Sequence, residues 1–302
     1  MTWEFVLTGL LIGALVGMTG MGGGSLMTPI LVIVFGFKPT LAVGTDILHG
    51  AIFKTVGAIR HRRLGTVHAQ LSGWMLMGSA PASIGGVALA THLKHVYGDG
   101  AQSVMSYLLG GALLFGAFGL AAKSLLRKKV IGEDDRFDMV WRDRFAAVAI
   151  GLVGGFIVGL TSVGSGTFFG LTMLFVFPLR AHKVVGTDIL HAAALLYVAG
   201  FGHIVAGNVD IGVVGWLLIG SIPGVLIGSH YSVRLPEQVL RLTLANVLAL
   251  SGLKLVNVPN LSLAVALGLS VAGVVILLAR EQRRWKARKR ERLATELVGA
   301  RE

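Results

Sequence analysis

Two aspartates, Asp46 and Asp188, lie deep inside apolar stretches, and each is followed three residues later by a histidine, His49 and His191. Residues three apart on a helix share a face, so each Asp-His pair projects together. A carboxylate in the centre of a bilayer costs about 2.5–3.5 kcal/mol on insertion scales, so it normally has a partner or a task. Three tasks suit these groups. A buried carboxyl that exchanges between its charged and neutral forms carries a proton. It serves equally as a cap, accepting hydrogen bonds from the backbone N–H groups of a neighbouring turn. Two Asp-x-x-His pairs also offer oxygen and nitrogen donors to a transported divalent metal, but nothing in the spacing fixes their mutual geometry. No resident metal and no cofactor is expected.

A glycine-rich break precedes each aspartate: Gly20-Met21-Gly22-Gly23-Gly24-Ser25 in the first case, Thr161-Ser162-Val163-Gly164-Ser165-Gly166-Thr167 in the second. Glycine clusters interrupt helices. A helix that restarts after a break presents bare backbone N–H groups and the positive end of its dipole, and glycine lets a ligand approach them. Gly22, Gly23, Gly24 and Ser25, with Gly164, Ser165, Gly166 and Thr167, thus form two candidate anion cradles. Thr19, Thr45, Thr161, Ser162 and Thr187 add hydroxyls to the candidate substrate-binding set. Asp46, His49, Asp188 and His191 form the candidate proton-coupling set. The competing reading of the glycines is close helix packing, which is common in membranes.

Lys54 falls two turns after Asp46 on the same face, which puts a basic residue either toward the interior or snorkelling to a helix end. Lys38 and Arg180 sit at candidate mouths, as anion attractors or ordinary anchors. His61 and His203 fall at span ends, where solvation accounts for them.

The elements that hold these residues are written twice. Val43-Gly44-Thr45-Asp46-Ile47-Leu48-His49 recurs letter for letter at 185–191, and the same offset of 142 pairs Gly22 with Gly164, Gly78-Ser79 with Gly220-Ser221 and Pro81 with Pro223. A period this long indicates one duplicated half rather than a solenoid.

Hydropathy says where those halves reside. Only 14% of the 302 residues are charged, against about a quarter in a soluble domain, and several apolar runs reach the roughly 20 residues that span a bilayer core. One straight helix from Phe5 to Phe37 would be about 50 Å long, too long for that core, while each arm alone is about 20 Å. Two re-entrant hairpins, with full spans near 40–60, 70–91, 102–123, 183–203, 212–231, 238–254 and 260–280, put Arg60, Arg62, Arg63, the 127–144 basic block and the basic tail on one side. The other side receives Lys38, Lys94 and Lys254, the asymmetry expected of a cytoplasmic and an external face.

The expected architecture is an all-α polytopic membrane protein with two homologous, inverted repeats. Each repeat has a glycine-broken re-entrant helix pair plus three spans, and one extra span follows at the C-terminus. The expected divisions are a first membrane repeat at 1–126, a basic cytoplasmic linker at 127–143, a second repeat at 144–256, a final transmembrane helix at 257–280 and a basic cytoplasmic tail at 281–302. Residence is expected in the bacterial inner membrane, with the C-terminus cytoplasmic and membrane lipids as neighbours; association into oligomers is left open.

Several classes are excluded or disfavoured. The chain has no cysteine, so disulfides, thiolate metal sites and cysteine nucleophiles are out. The net charge of +12 comes largely from clusters beside apolar spans, nine of the 27 basic residues falling between Arg280 and Arg301, which marks a lipid face rather than a nucleic-acid partner. An intramembrane serine protease would need Ser25 with His49 or Ser165 with His191, but the duplication selects neither, and enzymatic activity is not expected. Inverted repeats meeting at broken helices are the recurrent plan of secondary transporters, with a passive channel as the alternative.

In these residues the chain resembles the TauE/SafE family of sulfite exporters. The likeness rests on the glycine break at 20–24 with Pro29 beyond it, the Gly-Thr-Asp box, and Lys54, Gly57, His61, Gly65 and Gly78-Ser79-x-Pro81, repeated in the second half. That half departs from the pattern at Ser165, at Leu171 in the place of Pro29, and at Leu196 in the place of Lys54. The resemblance implies export or uptake of a small oxyanion such as sulfite or an organosulfonate.

Overall fold

The computed structural model describes residues 2–19, 24–125, 137–231 and 237–260, together with Ser262 and Gly273. Outside the described residues lie Gly22 and Gly23, position 126 and positions 127–136 of the linker, nearly all of the expected final helix and the whole basic tail, as do the side chains of Thr19 and Ser25.

The described chain is helical. Its elements are α1 (Thr2–Thr19), α2 (Gly24–Ile33), α3 (Pro39–Arg63), α4 (Ala69–Tyr97), α5 (Ala101–Leu125), α6 (Trp141–Thr161), α7 (Phe168–Val176), α8 (Ala181–Val205), α9 (Ile211–Tyr231) and α10 (Glu237–Leu255). Among the described residues, α4, α5, α6, α8 and α9 are long and apolar enough to cross a membrane. The protein is a polytopic membrane protein. The central helix α3 is as long as these, but Asp46, Lys54 and its terminal Arg60, Arg62 and Arg63 lower its hydropathy.

Each glycine break makes a hairpin. Phe5 at the start of α1 stacks on Phe35 just beyond α2, with ring centroids 4.5 Å apart, and Phe137 ahead of α6 meets Phe177 after α7 at 6.1 Å. Both broken segments therefore begin and end at one end of the molecule. The first arm of the second hairpin is longer than the sequence suggested. It starts at Trp141, inside the expected linker, and its 21 residues reach about 31 Å, so length alone does not stop that arm from crossing.

The two halves exchange their hairpins. The start of each hairpin packs along a span of the other half, α1 on α9 and α6 on α4, while the equivalent helices α3 and α8 pack on each other. Gly44 lies against the end of α8 at His203, and Gly57 against Ile189 near its start, so α3 and α8 run antiparallel. Two hydrophobic cores result, one built on α1, α2, α5, α9 and α10, the other on α4, α6, α7 and α8, with α3 contributing to both.

Glycine makes the exchanged contacts this close. A Cβ at Gly13 of α1 would stand 2.3 Å from the Ser221 carbonyl oxygen, and one at Gly155 of α6 would stand 2.3 Å from that of Ser79. Those pairs are equivalent by the offset of 142. Backbones in such contact lock by van der Waals packing, which in lipid replaces the missing hydrophobic drive.

Candidate functional site

The exact repeat Val-Gly-Thr-Asp divides its work between a latch and a core carboxylate. A Cβ at Gly44 would come within 2.0 Å of the Asn208 carbonyl oxygen, in the turn between α8 and α9. The next residue, Thr45, accepts a hydrogen bond from the Asp210 N–H at 3.0 Å. In the second half Gly186 lies equally close to Thr66, with a Cβ-to-oxygen distance of 2.4 Å, and Thr187 accepts from the His68 N–H at 2.9 Å. Each box thus fastens a turn of the opposite half. Thr45 and Thr187, fully buried, have their hydroxyls committed to these turns.

Asp46 points from α3 into the centre. Its Oδ2 accepts hydrogen bonds from Thr28 of α2 and, at 2.9 Å, from Ser162 in the break of the second half. Oδ1 has no hydrogen-bond partner among the described residues. One carboxylate therefore ties both hairpins together. Asp188 is also buried, at 5% exposure.

The histidines leave their aspartates. His49 Nε2 lies 2.9 Å from Ser221 Oγ on α9, and His191 Nε2 lies 2.9 Å from Ser79 Oγ on α4. These serines are the ones pressed against Gly13 and Gly155. Of the pairs considered for a protease, Ser165–His191 is not the contact His191 makes, and the Ser25 side chain of the other lies outside the described residues. The Ser-His pairs that do form are bolts between helices, with serine and histidine alike almost wholly buried. Nor do the Asp-x-x-His pairs gather into a metal centre. Among the described residues no group of three or more His, Asp or Glu side chains could hold an ion.

Lys54 is the buried cation of the site, at 3% exposure. Its Nζ donates to Ser165 Oγ at 2.8 Å and to the Ser165 carbonyl oxygen at 3.2 Å, and both Asp46 and Asp188 act on it electrostatically. The snorkelling alternative fails: α3 of one half sends its lysine into the break of the other. The equivalent Leu196 is buried apolar packing, so among the described residues the buried charged groups are one cation and two carboxyls.

The break itself, at 162–167, turns through Ser162 (φ 62°), Gly164 (φ 118°) and Gly166 (φ 111°), conformations that favour glycine at the last two. Thr161 is occupied locally, donating to the Ile157 carbonyl at 2.7 Å and accepting from the Val163 N–H at 3.2 Å. Thr167, the residue before α7, has a buried hydroxyl that lacks a hydrogen-bond partner among the described residues. Of the first cradle, Gly24 opens α2. A cavity of about 10 Å³, lined by Asp46, His49, Lys54, Ser221 and Gly13 among others, has room for about one water. That cavity takes nothing larger.

His203, expected to be solvated, is fully buried and hydrogen-bonds the Gly159 carbonyl oxygen at 2.9 Å. Its equivalent His61 bonds Thr66 Oγ1 at 2.9 Å. Thr28, Ser79 and Ser221 were not read as site residues from the sequence. The repeated Gly-Ser dipeptides were visible, but a serine in an apolar helix does not reveal its partner.

This arrangement of paired breaks, Gly-Thr-Asp boxes and a half-one lysine coincides with a match of residues 5–255 to the family model described as sulfite exporter TauE/SafE. The chain belongs to the TauE/SafE family. Similar proteins include the probable membrane transporter protein YjnA of Bacillus subtilis (strain 168), 38% identical over 85% of this chain and 100% of that protein. The probable membrane transporter protein YdhB of the same organism is 25% identical over 83% of this chain and 98% of its own length. The probable membrane transporter protein ORF9 of Sinorhizobium sp is 25% identical over 82% and 90% respectively. No solved structure matches the chain. This TauE/SafE member is a multi-pass membrane transporter.

Proposed function

We propose that the protein moves a small oxyanion, sulfite or a sulfonate, across the bacterial inner membrane by alternating access between its two repeats, coupled to protons and without enzymatic chemistry. The observation that carries this is Lys54, the one buried lysine or arginine among the described residues, held at the second break by Ser165 within the field of two buried carboxyls. A single ammonium between two carboxylates leaves an excess negative charge that opposes an anion. Protonation of Asp46 or Asp188 removes that opposition, so the anion and the proton favour each other's binding. Ser162, Ser165 and Thr167 supply hydroxyls, and Gly24, Gly164 and Gly166 with Gly22 and Gly23 supply backbone room.

The water-sized cavity beside Asp46 and Lys54 fits the occluded member of an alternating cycle, and the exchanged hairpins are the bodies that part. The basic tail faces the cytoplasm. The test is uptake of labelled sulfite into proteoliposomes with unlabelled sulfonate, sulfate and divalent metal as competitors. Saturable uptake blocked by sulfonate supports the reading. Linear, non-saturating flux would make the protein a channel, and metal uptake with no anion uptake would return the Asp-x-x-His pairs to the role of ligands.

A further inference from the structure

Where α3, α5 and α9 begin lies a second and much larger cavity of about 510 Å³. That is the size of a small-molecule pocket. Its lining includes Lys38, Thr40, Lys94, Gln102 and Asn208 and, among the described residues, no acidic side chain. Two ammonium groups on one cavity repel each other and raise the local concentration of anions.

The polar groups have an order. Lys94 Nζ donates to Asn208 Oδ1 at 3.1 Å, while Asn208 Nδ2 donates to Thr91 Oγ1 at 3.3 Å. The Asn208 side chain is 1% exposed and is thereby fixed with its carbonyl toward the lysine. The nearby Asp210 carboxylate is engaged elsewhere, accepting from the Val213 N–H in the first turn of α9 at 3.0 Å. Asn208 also belongs to the turn clamped by Gly44 and Thr45, and Asp46 follows directly. The floor of the cavity is thus the latch of the central carboxylate.

We propose that this cavity is a loading site for a small tetrahedral oxyanion, held between Lys38 and Lys94 with Thr40 and Gln102 as further donors, on the face opposite the Arg60–Arg63 cluster. The inference rests on the transporter reading for the word loading, but not for the site itself. The exchange is between one acceptor and another. Lys94 gives up the neutral Asn208 carbonyl for an anionic oxygen, a stronger charge-assisted bond, and the released Asn208 turn is the one that restrains α3 at Gly44. Half two has no equivalent lysine: position 236, the counterpart of Lys94, is proline.

The experiment reads the lysines directly. Full-length protein in detergent is treated with an amine-acetylating reagent in sodium methanesulfonate, sodium sulfate or sodium chloride at equal ionic strength, and acetylation of each lysine is followed by mass spectrometry. Methanesulfonate and sulfate are to slow labelling of Lys38 and Lys94 several-fold relative to chloride, leaving Lys183 and Lys254 unchanged. Equal labelling in all three salts overturns the site. The same reaction with added phosphatidylglycerol separates sources of the anionic group: protection by lipid that methanesulfonate neither adds to nor displaces makes the cavity a headgroup site and overturns the proposal. In proteoliposomes Lys94→Gln is to raise the half-saturating anion concentration about tenfold from that face with the maximal rate kept, the pattern of lost binding rather than lost turnover. Protected lysines in a protein that moves no oxyanion would sink the transporter reading and leave the site standing.

Discussion

Alanine at Gly13 and at Gly155 is the sharpest test of the exchanged hairpins. In both places the new Cβ would lie 2.3 Å from a serine carbonyl oxygen, where ordinary contact begins at 3.4 Å, so the paired helices must part by about 1 Å. The same serines hold His49 and His191 at 2.9 Å, and another ångström takes those bonds out of range. Overpacking costs about 1–3 kcal/mol and an orphaned buried polar group about 1–3 kcal/mol, offset by about 1 kcal/mol of helix propensity gained on replacing glycine. The net loss is about 3 kcal/mol per site. Gly73 and Gly215, on α4 and α9, are the controls, because nothing lies within 4 Å of a Cβ at either; alanine there is neutral or stabilising by up to about 1 kcal/mol. Thermal unfolding of the purified protein reads the contrast. At roughly 2–4 °C per kcal/mol, Gly13→Ala and Gly155→Ala each melt about 6–12 °C lower, and the double variant adds the two because the sites are separate. Four variants with equal melting temperatures would refute the packing of α1 on α9 and α6 on α4.

The centre yields three more expectations. Lys54→Met raises the half-saturating anion concentration about 300-fold, the effect of losing a unit charge at about 5 Å in a medium of effective dielectric constant near 20, whereas Lys54→Arg stays within about tenfold; equal affinities in Met and wild type would remove Lys54 from the site. Asp46→Asn and Asp188→Asn fold but lose gradient dependence, read as uptake with and without an imposed pH difference; retained dependence in both would end the proton role. Thr45→Val costs about 1 kcal/mol of stability through the lost Asp210 bond and leaves the half-saturating concentration unchanged. A large rise in that concentration would return Thr45 to the substrate.

Residue types reveal some of this and hide the rest. The repeat, the spans and the glycine breaks are local patterns, legible because period and hydropathy are properties of neighbouring residues. Lys54 stood out as the one basic residue in a half-duplicated face, but its partner Ser165 is supplied by the other half. The latch role of Gly44 and Thr45 was hidden for the same reason, since it depends on which turn α3 meets. His203 looked like a span-end histidine because its burial comes from α6 crossing it, and the sequence carries no mark of that crossing. The length of α6 was underestimated because its polar first turn, Trp141 to Asp143, reads as linker.

The proposed transport couples anion movement to protons through the two aspartates. It is tested most directly by recording luminal pH in proteoliposomes while a sulfonate, which carries no titratable proton near neutrality, flows down an imposed gradient. The expected pH change tracks the sulfonate flux in the wild type and vanishes in the Asp46→Asn, Asp188→Asn double variant. Sulfonate flux with no pH change in the wild type, or an equal change in the double variant, would contradict it.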